Sequence, residues 1–306
     1  YEYCDLLITG SGPSGLASAY AAAKNGAKVI LAEDKARFGG SLLTNEVNIG
    51  NQSGQEWADG IIAELKEMPN VTIKNRSQVF GYYDHNMLVM SERISDHLPK
   101  TKKFHPKQRL WYIRANEVLI SSGSIERPIV FGNNDTPGVL LSSAAKEYMK
   151  VYGVIVGKNP LIFTNNDSGY ETAVEFKKNG IEPIILDTRI SPKSEIIEEA
   201  KNLGIKIKYS HVVVAAQGYK KVKSADIAKI SKDKEELGEI ENIKCDCICV
   251  SGFWTPTIHL ASQSGNKTKF NEKIDAFVPG ISKQNEKTIG AANGSFKLED
   301  TLKSSF

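Results

Sequence analysis

The chain has 306 residues, 41% of them apolar and 25% charged, which is the composition of a globular protein long enough for about two domains. Its 39 basic and 36 acidic residues nearly cancel to a net charge of +3, which argues against nucleic acid or an anionic membrane as a partner. No apolar run approaches the roughly 20 residues needed to span a bilayer, and nothing indicates export, so we expect a cytoplasmic protein.

The first predicted element is a short buried strand at residues 6–9, which runs directly into the glycine-rich sequence GSGPSG. In such a sequence Gly10 permits a tight turn and Gly12 lets the backbone approach a pyrophosphate. Gly15 lets the following helix pack closely on the strand. This pattern is typical of a dinucleotide site.

A helix and a second buried strand are predicted next, over residues 13–25 and 29–32. The strand ends at Glu33, roughly 20 residues beyond the glycines, where an acid can accept hydrogen bonds from an adenosine ribose. Its carboxylate would repel a 2′-phosphate, which argues against NADP. Asp34 can share this role, although its side chain should point elsewhere. The fingerprint itself serves FAD and NAD equally.

Two later features resemble the first domain of the glutathione-reductase-like superfamily. The sequence RFGGSL carries a second glycine pair, Gly39 and Gly40, close behind the acid. Another buried strand is predicted at residues 118–120, and it ends in the small residues Ser122 and Gly123. In the two-dinucleotide flavoproteins, such a glycine pair lets the chain pass close to the pyrophosphate.

The cysteines do not support disulfide chemistry. The disulfide-reducing members of this superfamily carry redox cysteines soon after the glycine pair or in the second nucleotide domain, but residues 41–60 and 157–244 contain none. The sequence CDCIC places Cys245, Cys247 and Cys249 at alternate positions, which predicts three thiols on one face of a strand. We assign no metal site to them.

The second nucleotide fingerprint of the superfamily is degenerate here. A strand at residues 161–163 runs into TNNDSG, in which only Gly169 matches the glycine pattern and Asp167 would place a negative charge near the phosphates. The role of the Asn165-Asn166-Asp167 turn stays open. We interpret the region as a Rossmann-like scaffold without pyrophosphate binding. Its further predicted elements are a helix at 170–179, a strand at 183–186, a helix at 192–202 capped by Ser191, and strands at 205–209 and 212–217.

The flavin-specific part of the first site is altered as well. In the flavoproteins a late Gly-Asp pair contacts the ribityl chain of the flavin. The corresponding sequence here is TIGAANG, which has Ala291 in place of the aspartate. An alanine offers no acceptor, so a bound FAD would keep an unpaired donor.

Several longer segments are distinctive: FGYYDHN, RLWYIRANEVLISSGSIERPIVFGNNDTPGVLLSSAAKEY and IFTNNDSGYETA, with EDKARFGGSL and VSGFWTPTIHLASQSG in the same style. Together they resemble one particular family, the alpha subunit of heterotetrameric sarcosine oxidase. In that family the N-methyl amine is oxidised at FAD in the beta subunit, FMN lies between alpha and beta, and this part of alpha holds NAD. The resemblance implies NAD at Gly10, Gly12, Gly15 and Glu33, together with beta and smaller partner subunits.

The same resemblance implies that this chain is the central region of a longer subunit, flanked in the family by a ferredoxin-like and a folate-binding portion. It supplies no catalytic residue, and related proline and opine dehydrogenases share the domain, so the amine substrate stays open. Two other functions also stay open: a self-sufficient oxidoreductase using FAD or NAD, and a nucleotide-binding module without catalysis.

The predicted fold is α/β, with two Rossmann-like domains in a glutathione-reductase-like arrangement. The first domain is expected at residues 1–156 and 245–306, and the second, inserted domain at 157–244. Residues 91–108 are expected to form an exposed hairpin or loop. The predicted cofactor-binding residues are Gly10, Gly12, Pro13, Ser14, Gly15, Glu33, Asp34, Arg37, Gly39, Gly40, Ser41, Ser122 and Gly123.

Overall fold

A computed structural model of the chain describes residues 1–100, 104–233 and 236–303, and it divides into two compact units. Unit 1 comprises Tyr1–Ile125 and Thr255–Phe306, and unit 2 comprises Glu126–Trp254. Unit 2 therefore begins earlier and ends later than the inserted domain expected from the sequence. The reason is that Val139–Leu141 and Cys247–Ser251 are both strands of the unit 2 sheet.

The helices and strands follow one another in three stretches of chain. The first stretch contains β1 (Glu2–Thr9), α1 (Pro13–Lys24), β2 (Val29–Ala32), β3 (Asn48–Ile49), β4 (Gln52–Ser53), α2 (Gly54–Glu67), β5 (Val71–Lys74), β6 (Ser77–Tyr83), β7 (Met87–Arg93), β8 (Gln108–Ile120) and β9 (Ser124–Glu126). The second contains β10 (Val139–Leu141), α3 (Ser142–Tyr152), β11 (Pro160–Thr164), α4 (Ser168–Lys178), β12 (Ile184–Asp187), α5 (Glu195–Asn202), β13 (Lys206–Tyr209), β14 (His211–Gln217), β15 (Ser224–Ile230), β16 (Leu237–Lys244), β17 (Cys247–Ser251) and β18 (Trp254–Pro256). The last contains α6 (His259–Gln263), β19 (Lys269–Asn271), β20 (Ala276–Val278), β21 (Glu286–Thr288) and α7 (Leu298–Lys303).

The main sheet of unit 1 has the strand order β5-β2-β1-β8-β7-β6, and β21 also pairs with β8. The long strand β8 allows this branching. Its first half pairs antiparallel with β7, and its second half pairs parallel with β1 on one side and β21 on the other. As a result β1, β2, β5, β8 and β21 all end at the same edge of the sheet, where ligands bind in open α/β sheets.

The predicted elements of unit 1 are confirmed with small changes at their ends. Helix α1 begins at Pro13 as expected, and all of β2 is buried, as its apolar sequence indicates. Strand β1 is longer than expected because its first residues also pair with β8. In the expected exposed loop at residues 91–108, β7 extends to Arg93 and β8 begins at Gln108, and residues 101–103 lie outside the described residues.

Unit 2 contains a parallel sheet of order β10-β17-β11-β12-β13 and an antiparallel sheet of order β14-β15-β16. Helix α4 and the strands on either side of it confirm the predicted Rossmann-like pattern. The predicted start of α5 was wrong, because the helix begins at Glu195 with Ser194, not Ser191, as its cap residue. Both serines precede the same amphipathic run, in which Ile197 and Ala200 are buried.

The cysteines are buried, free thiols. Cys247 and Cys249 pack together in one hydrophobic core of unit 2, whereas Cys245 precedes β17 and packs in another, so the prediction of three thiols on one face was wrong. Burial raises the pKa of the Cys4 and Cys245 thiols to about 12. Thiols in such surroundings are poor nucleophiles.

Candidate nucleotide site

The glycine turn after β1 has the geometry that its sequence predicts. Gly10 has a φ of +104°, and a Cβ there would lie 2.4 Å from the carbonyl oxygen of Ser121. A Cβ on Gly15 would lie 2.0 Å from the carbonyl oxygen of Gly10, so only glycine lets α1 pack this closely on the turn. A Cβ on Gly12 would meet no atom within 4 Å. The backbone at Gly12 is therefore open to a ligand.

Helix α1 begins at this opening without a capping side chain. Its N-cap residue is Gly12, its first residue is Pro13, and its first turn contains no acidic residue. The first amides of a helix have no partner within it, and they carry the positive end of the helix dipole. This end of α1 is therefore suited to the phosphates of a dinucleotide.

Glu33 lies at the end of β2, beside the glycine turn, and is only 6% exposed. Its Oε2 accepts hydrogen bonds from the Ser11 amide at 2.9 Å and from the Ser11 hydroxyl at 2.5 Å. Its Oε1 accepts one from the Lys35 amide at 2.9 Å. Burial raises the pKa of this carboxyl above its usual range and the Asp34 side chain raises it further, while the bonds from Ser11 and Lys35 oppose the shift.

The second glycine pair packs directly on the glycine turn. The Gly39 amide donates to the carbonyl oxygen of Ser11 at 3.0 Å. A Cβ on Gly40 would lie 2.8 Å from the Cα of Gly12. A short 3-10 helix then runs over Gly40–Leu43, on which Ser41 is exposed. The two glycine motifs, separate in sequence, thus form one surface.

The chain after β8 completes the turn from the other side. The Ser121 hydroxyl donates to the carbonyl oxygens of Thr9 at 3.0 Å and Gly10 at 2.8 Å. The Ser122 hydroxyl donates to the carbonyl oxygen of Thr257 at 3.0 Å, and the Thr257 amide donates to the carbonyl oxygen of Gly123 at 3.0 Å. Ser122 and Gly123 therefore lie at the predicted edge, while Ser121 holds the glycine turn.

The segment containing Ala291 reaches the same edge. After β21 the chain forms a 3-10 turn over Gly290–Asn293, and a Cβ on Gly290 would lie 2.6 Å from the Ser14 hydroxyl oxygen. Ser14 itself is nearly buried in the first turn of α1. The alanine that replaces the flavoprotein aspartate is thus next to a residue that touches the beginning of α1.

Two of the predicted residues, Asp34 and Arg37, are exposed. The Asp34 side chain hydrogen-bonds with the Glu33 carboxyl, and its backbone carbonyl oxygen accepts from the Arg93 guanidinium at 2.6 Å. Sequence reasoning missed Ser11, Ser121 and Gly290, which hold the site together. The signal available for all three was a small residue directly at the end of a predicted strand or inside the glycine motif.

In unit 2 the backbone amides of the turn between β11 and α4 donate to acceptors within the same unit. The Asn165 amide donates to the Ser251 carbonyl oxygen at 3.3 Å, and the Asn166 amide donates to the Thr164 hydroxyl oxygen at 3.1 Å. The Ser168 amide donates to the Asn166 side chain at 2.9 Å. At Gly169 there is no room for a side chain, because a Cβ would lie 2.6 Å from the Cβ of Thr164. The turn therefore packs like a nucleotide fingerprint, but these amides already donate to other residues of unit 2.

An ion-pair network closes the same turn. The Arg189 guanidinium lies 2.8 Å from an Asp167 oxygen and 2.9 Å from an oxygen of Asp187, which is fully buried at the end of β12. The Tyr170 hydroxyl also donates to Asp187, at 2.7 Å. Asp187 ends β12 as Glu33 follows β2, and it accepts hydrogen bonds from the Tyr170 hydroxyl, the Arg189 guanidinium and the Arg189 amide.

A glycine turn at the carboxyl edge of a parallel sheet, followed by an acid at the end of the next strand, defines a dinucleotide-binding α/β protein. The family model of the pyridine nucleotide-disulphide oxidoreductases matches residues 4–281. The chain belongs to this oxidoreductase family, and its glutathione-reductase-like fold is confirmed by solved structures. The thioredoxin reductase of T. acidophilum covers 99% of the chain with a TM-score of 0.73 at 15% identity, and the match covers 95% of that chain.

The resemblance to the sarcosine oxidase alpha subunit is also confirmed. The chain is 35% identical to "Sarcosine oxidase subunit alpha" of Rhizobium meliloti (strain 1021) over 95% of its length, and 34% identical to that of Corynebacterium sp. (strain P-1) over 99%. It spans 29% and 31% of those two relatives. A solved L-proline dehydrogenase from P. horikoshii matches with a TM-score of 0.67 at 20% identity, covering 95% of this chain and 51% of that one. Among the described residues, no helix is long and apolar enough to cross a membrane.

Proposed function

We propose that unit 1 binds NAD at the glycine turn after β1. The observation that carries this proposal is the combination of an open Gly12 backbone, an uncapped α1 and the buried Glu33 carboxylate at one sheet edge. These groups suit a pyrophosphate and an adenosine ribose, which NAD and FAD share. Ala291 favours NAD, because it replaces the aspartate through which the flavoproteins contact a flavin.

The chain would serve as the NAD-binding region of an amine-oxidising flavoenzyme of the sarcosine oxidase type. Support comes from the relatives named as alpha subunits of sarcosine oxidase, which match along nearly the whole chain. Bound NAD would supply a hydride-accepting nicotinamide. This chain's own residues bind the dinucleotide through backbone amides and orient its ribose through Glu33.

Oxidative demethylation would take place at a flavin in a partner beta subunit, with FMN only at an interface between the subunits. No residue of this chain is assigned to catalysis, and we infer that the chain alone is catalytically incomplete. A cytoplasmic setting fits the four buried cysteines, all of which are free thiols.

The nucleotide released from the purified protein tests the proposal. The 306-residue chain is expressed, purified without added nucleotide and then denatured, and the supernatant is analysed by chromatography and mass spectrometry. NAD is the expected result. Released FAD would support the alternative of a self-sufficient flavin-dependent oxidoreductase, and a protein that neither releases nor subsequently binds a dinucleotide would support a module without this function.

A further inference from the structure

Ser11, the residue between the first two glycines, joins three parts of the nucleotide site. It is fully buried, and both its amide and its hydroxyl donate to Oε2 of Glu33, at 2.9 Å and 2.5 Å. Its carbonyl oxygen accepts the Gly39 amide at 3.0 Å. A single serine thus links the glycine turn, the end of β2 and the second glycine pair.

These contacts make the two oxygens of Glu33 unequal. A carboxylate can accept about four hydrogen bonds, two at each oxygen. Ser11 takes both positions at Oε2, the Lys35 amide takes one at Oε1, and the exposed Asp34 side chain also hydrogen-bonds with the carboxyl. Oε1 therefore has a position that no backbone amide or buried hydroxyl holds, and a donor on a ligand can take it in place of the exposed Asp34 side chain.

We propose that Ser11 is a positioning residue for the nucleotide ribose, which fixes Glu33 through Oε2 so that Oε1 accepts from a ribose hydroxyl. This inference rests on the proposed nucleotide function. It adds to it a residue that the glycine pattern leaves unspecified, since the position between the two glycines tolerates any side chain. A glycine or alanine there would keep the turn and the amide bond, but it would lose the hydroxyl bond.

The groups around Glu33 influence its pKa, so the loss of the Ser11 hydroxyl bond should change how nucleotide affinity depends on pH. The side chain of the adjacent Asp34 hydrogen-bonds with the Glu33 carboxyl and raises its pKa. From β5, Lys74 accepts the Glu33 amide on its backbone carbonyl oxygen, and from β7 the Arg93 guanidinium binds the Asp34 carbonyl oxygen. Lys35 contributes its amide. Bonds from Ser11 to the charged form therefore oppose both burial and Asp34.

The test compares the parent chain with Ser11→Ala, using calorimetric titration of NAD and, in parallel, of ADP, which carries the adenosine ribose of both NAD and FAD. We expect affinity about tenfold weaker at neutral pH, because a hydrogen bond to a charged group is lost. When the pH is lowered, the affinity of Ser11→Ala should begin to fall at a higher pH than the affinity of the parent does. The reason is that Glu33 has lost a bond that favours its ionised form. In a Glu33→Gln background, Ser11→Ala should have little further effect.

Two variants control for structure. Ser77 is a buried serine whose amide donates to the Glu33 carbonyl oxygen, but its hydroxyl donates to Asn75, so Ser77→Ala should keep the parent affinity and pH profile. Ser11→Thr retains a hydroxyl and should recover part of the affinity if it folds. Circular dichroism and thermal melting identify any variant that does not fold.

The outcomes separate this inference from the proposed function. If the parent binds NAD or ADP but Ser11→Ala binds with parent affinity and pH profile, the positioning role is wrong and the nucleotide site stands. Equal weakening with and without Glu33→Gln would also contradict it, because Ser11 would then act independently of Glu33. If the parent binds neither nucleotide, both the function and the inference fail.

Discussion

At the scale of single residues, the burial of Glu33 is the feature with the clearest consequence. The carboxyl is removed from water at the end of β2, which raises its pKa, and the bonds from Ser11 and Lys35 oppose this shift because they favour the charged form. Leaving a buried acceptor without a donor costs free energy, so the site favours a ligand that supplies a hydrogen-bond donor there. The contribution of Glu33 should therefore be large for a ribose hydroxyl and unfavourable for a phosphate.

We predict that Glu33→Ala weakens NAD binding by about 1 to 3 kcal/mol, because the ribose hydroxyl loses a charged acceptor. Calorimetric titration of NAD measures the change. Glu64→Ala is a matched control, since this carboxylate accepts the Tyr20 hydroxyl at an exposed position away from the turn. Unchanged affinity in Glu33→Ala would remove Glu33 from the site.

A second prediction concerns the choice between NAD and NADP. The parent chain should bind NAD at least tenfold more tightly than NADP, because the Glu33 carboxylate repels a 2′-phosphate, and tenfold corresponds to about 1.4 kcal/mol. Glu33→Gln removes the charge and should narrow this ratio. A parent that binds the two nucleotides equally would show that Glu33 does not face the 2′ position.

The geometry of the glycine turn could be predicted from the sequence because it depends on the backbone. Gly10, Gly12 and Gly15 have geometric roles that follow from the absence of a side chain. Ser11 could not be predicted in the same way, because its role depends on Glu33, which is brought next to it only when β1 and β2 pair. Cys245 shows a similar limit, since alternation along the sequence gives one face only where the strand has already begun.

At the scale of secondary-structure elements, the turn before α4 shows how a nucleotide fold persists without the glycines. Thr164, Asn166 and Ser251 take up the amides and side chains of the turn through their own hydrogen bonds. Arg189 then joins Asp167 to Asp187 across the ends of two elements. The sequence indicated the lost glycines, whereas the ion pairs depend on how the ends of β12 and α4 approach each other.

We predict that Arg189→Met destabilises the protein by about 2 to 3 kcal/mol, because it leaves the fully buried Asp187 carboxylate without its charged partner. Chemical denaturation followed by circular dichroism measures the change. Lys208→Met is the matched control, since its ion pair with Glu241 is exposed and should contribute less than about 1 kcal/mol. Equal effects of the two substitutions would mean that the Arg189 network stabilises nothing beyond an ordinary surface pair.

At the scale of the whole molecule, each unit contains a β-α-β segment with parallel strands, β1-α1-β2 in unit 1 and β11-α4-β12 in unit 2, but the turns before the two helices differ. In unit 1 the turn presents an open glycine and an uncapped helix, and in unit 2 the corresponding turn is bonded to its own side chains. The family matched by this chain is named for both pyridine nucleotides and disulfides. In this chain, however, the four cysteines are buried thiols with no disulfide. The turn before α1 has the glycine pattern, and the turn before α4 does not.

The last prediction is that the chain binds one dinucleotide, not two. Titration of the nucleotide-free protein with NAD should give a stoichiometry of one per chain, and the heat of binding should be unchanged in Asp167→Ala, because that residue belongs to the bonded turn of unit 2. Gly12→Val, which places a branched side chain in the open position of unit 1, should abolish binding while leaving the melting temperature close to that of the parent, since no atom lies within 4 Å of a Cβ there. A second binding event in the parent would contradict the single site, and binding retained in Gly12→Val but lost in Asp167→Ala would place the site in unit 2. Because the two substitutions change corresponding turns, loss of binding in only one of them assigns the nucleotide to one unit without reference to any relative.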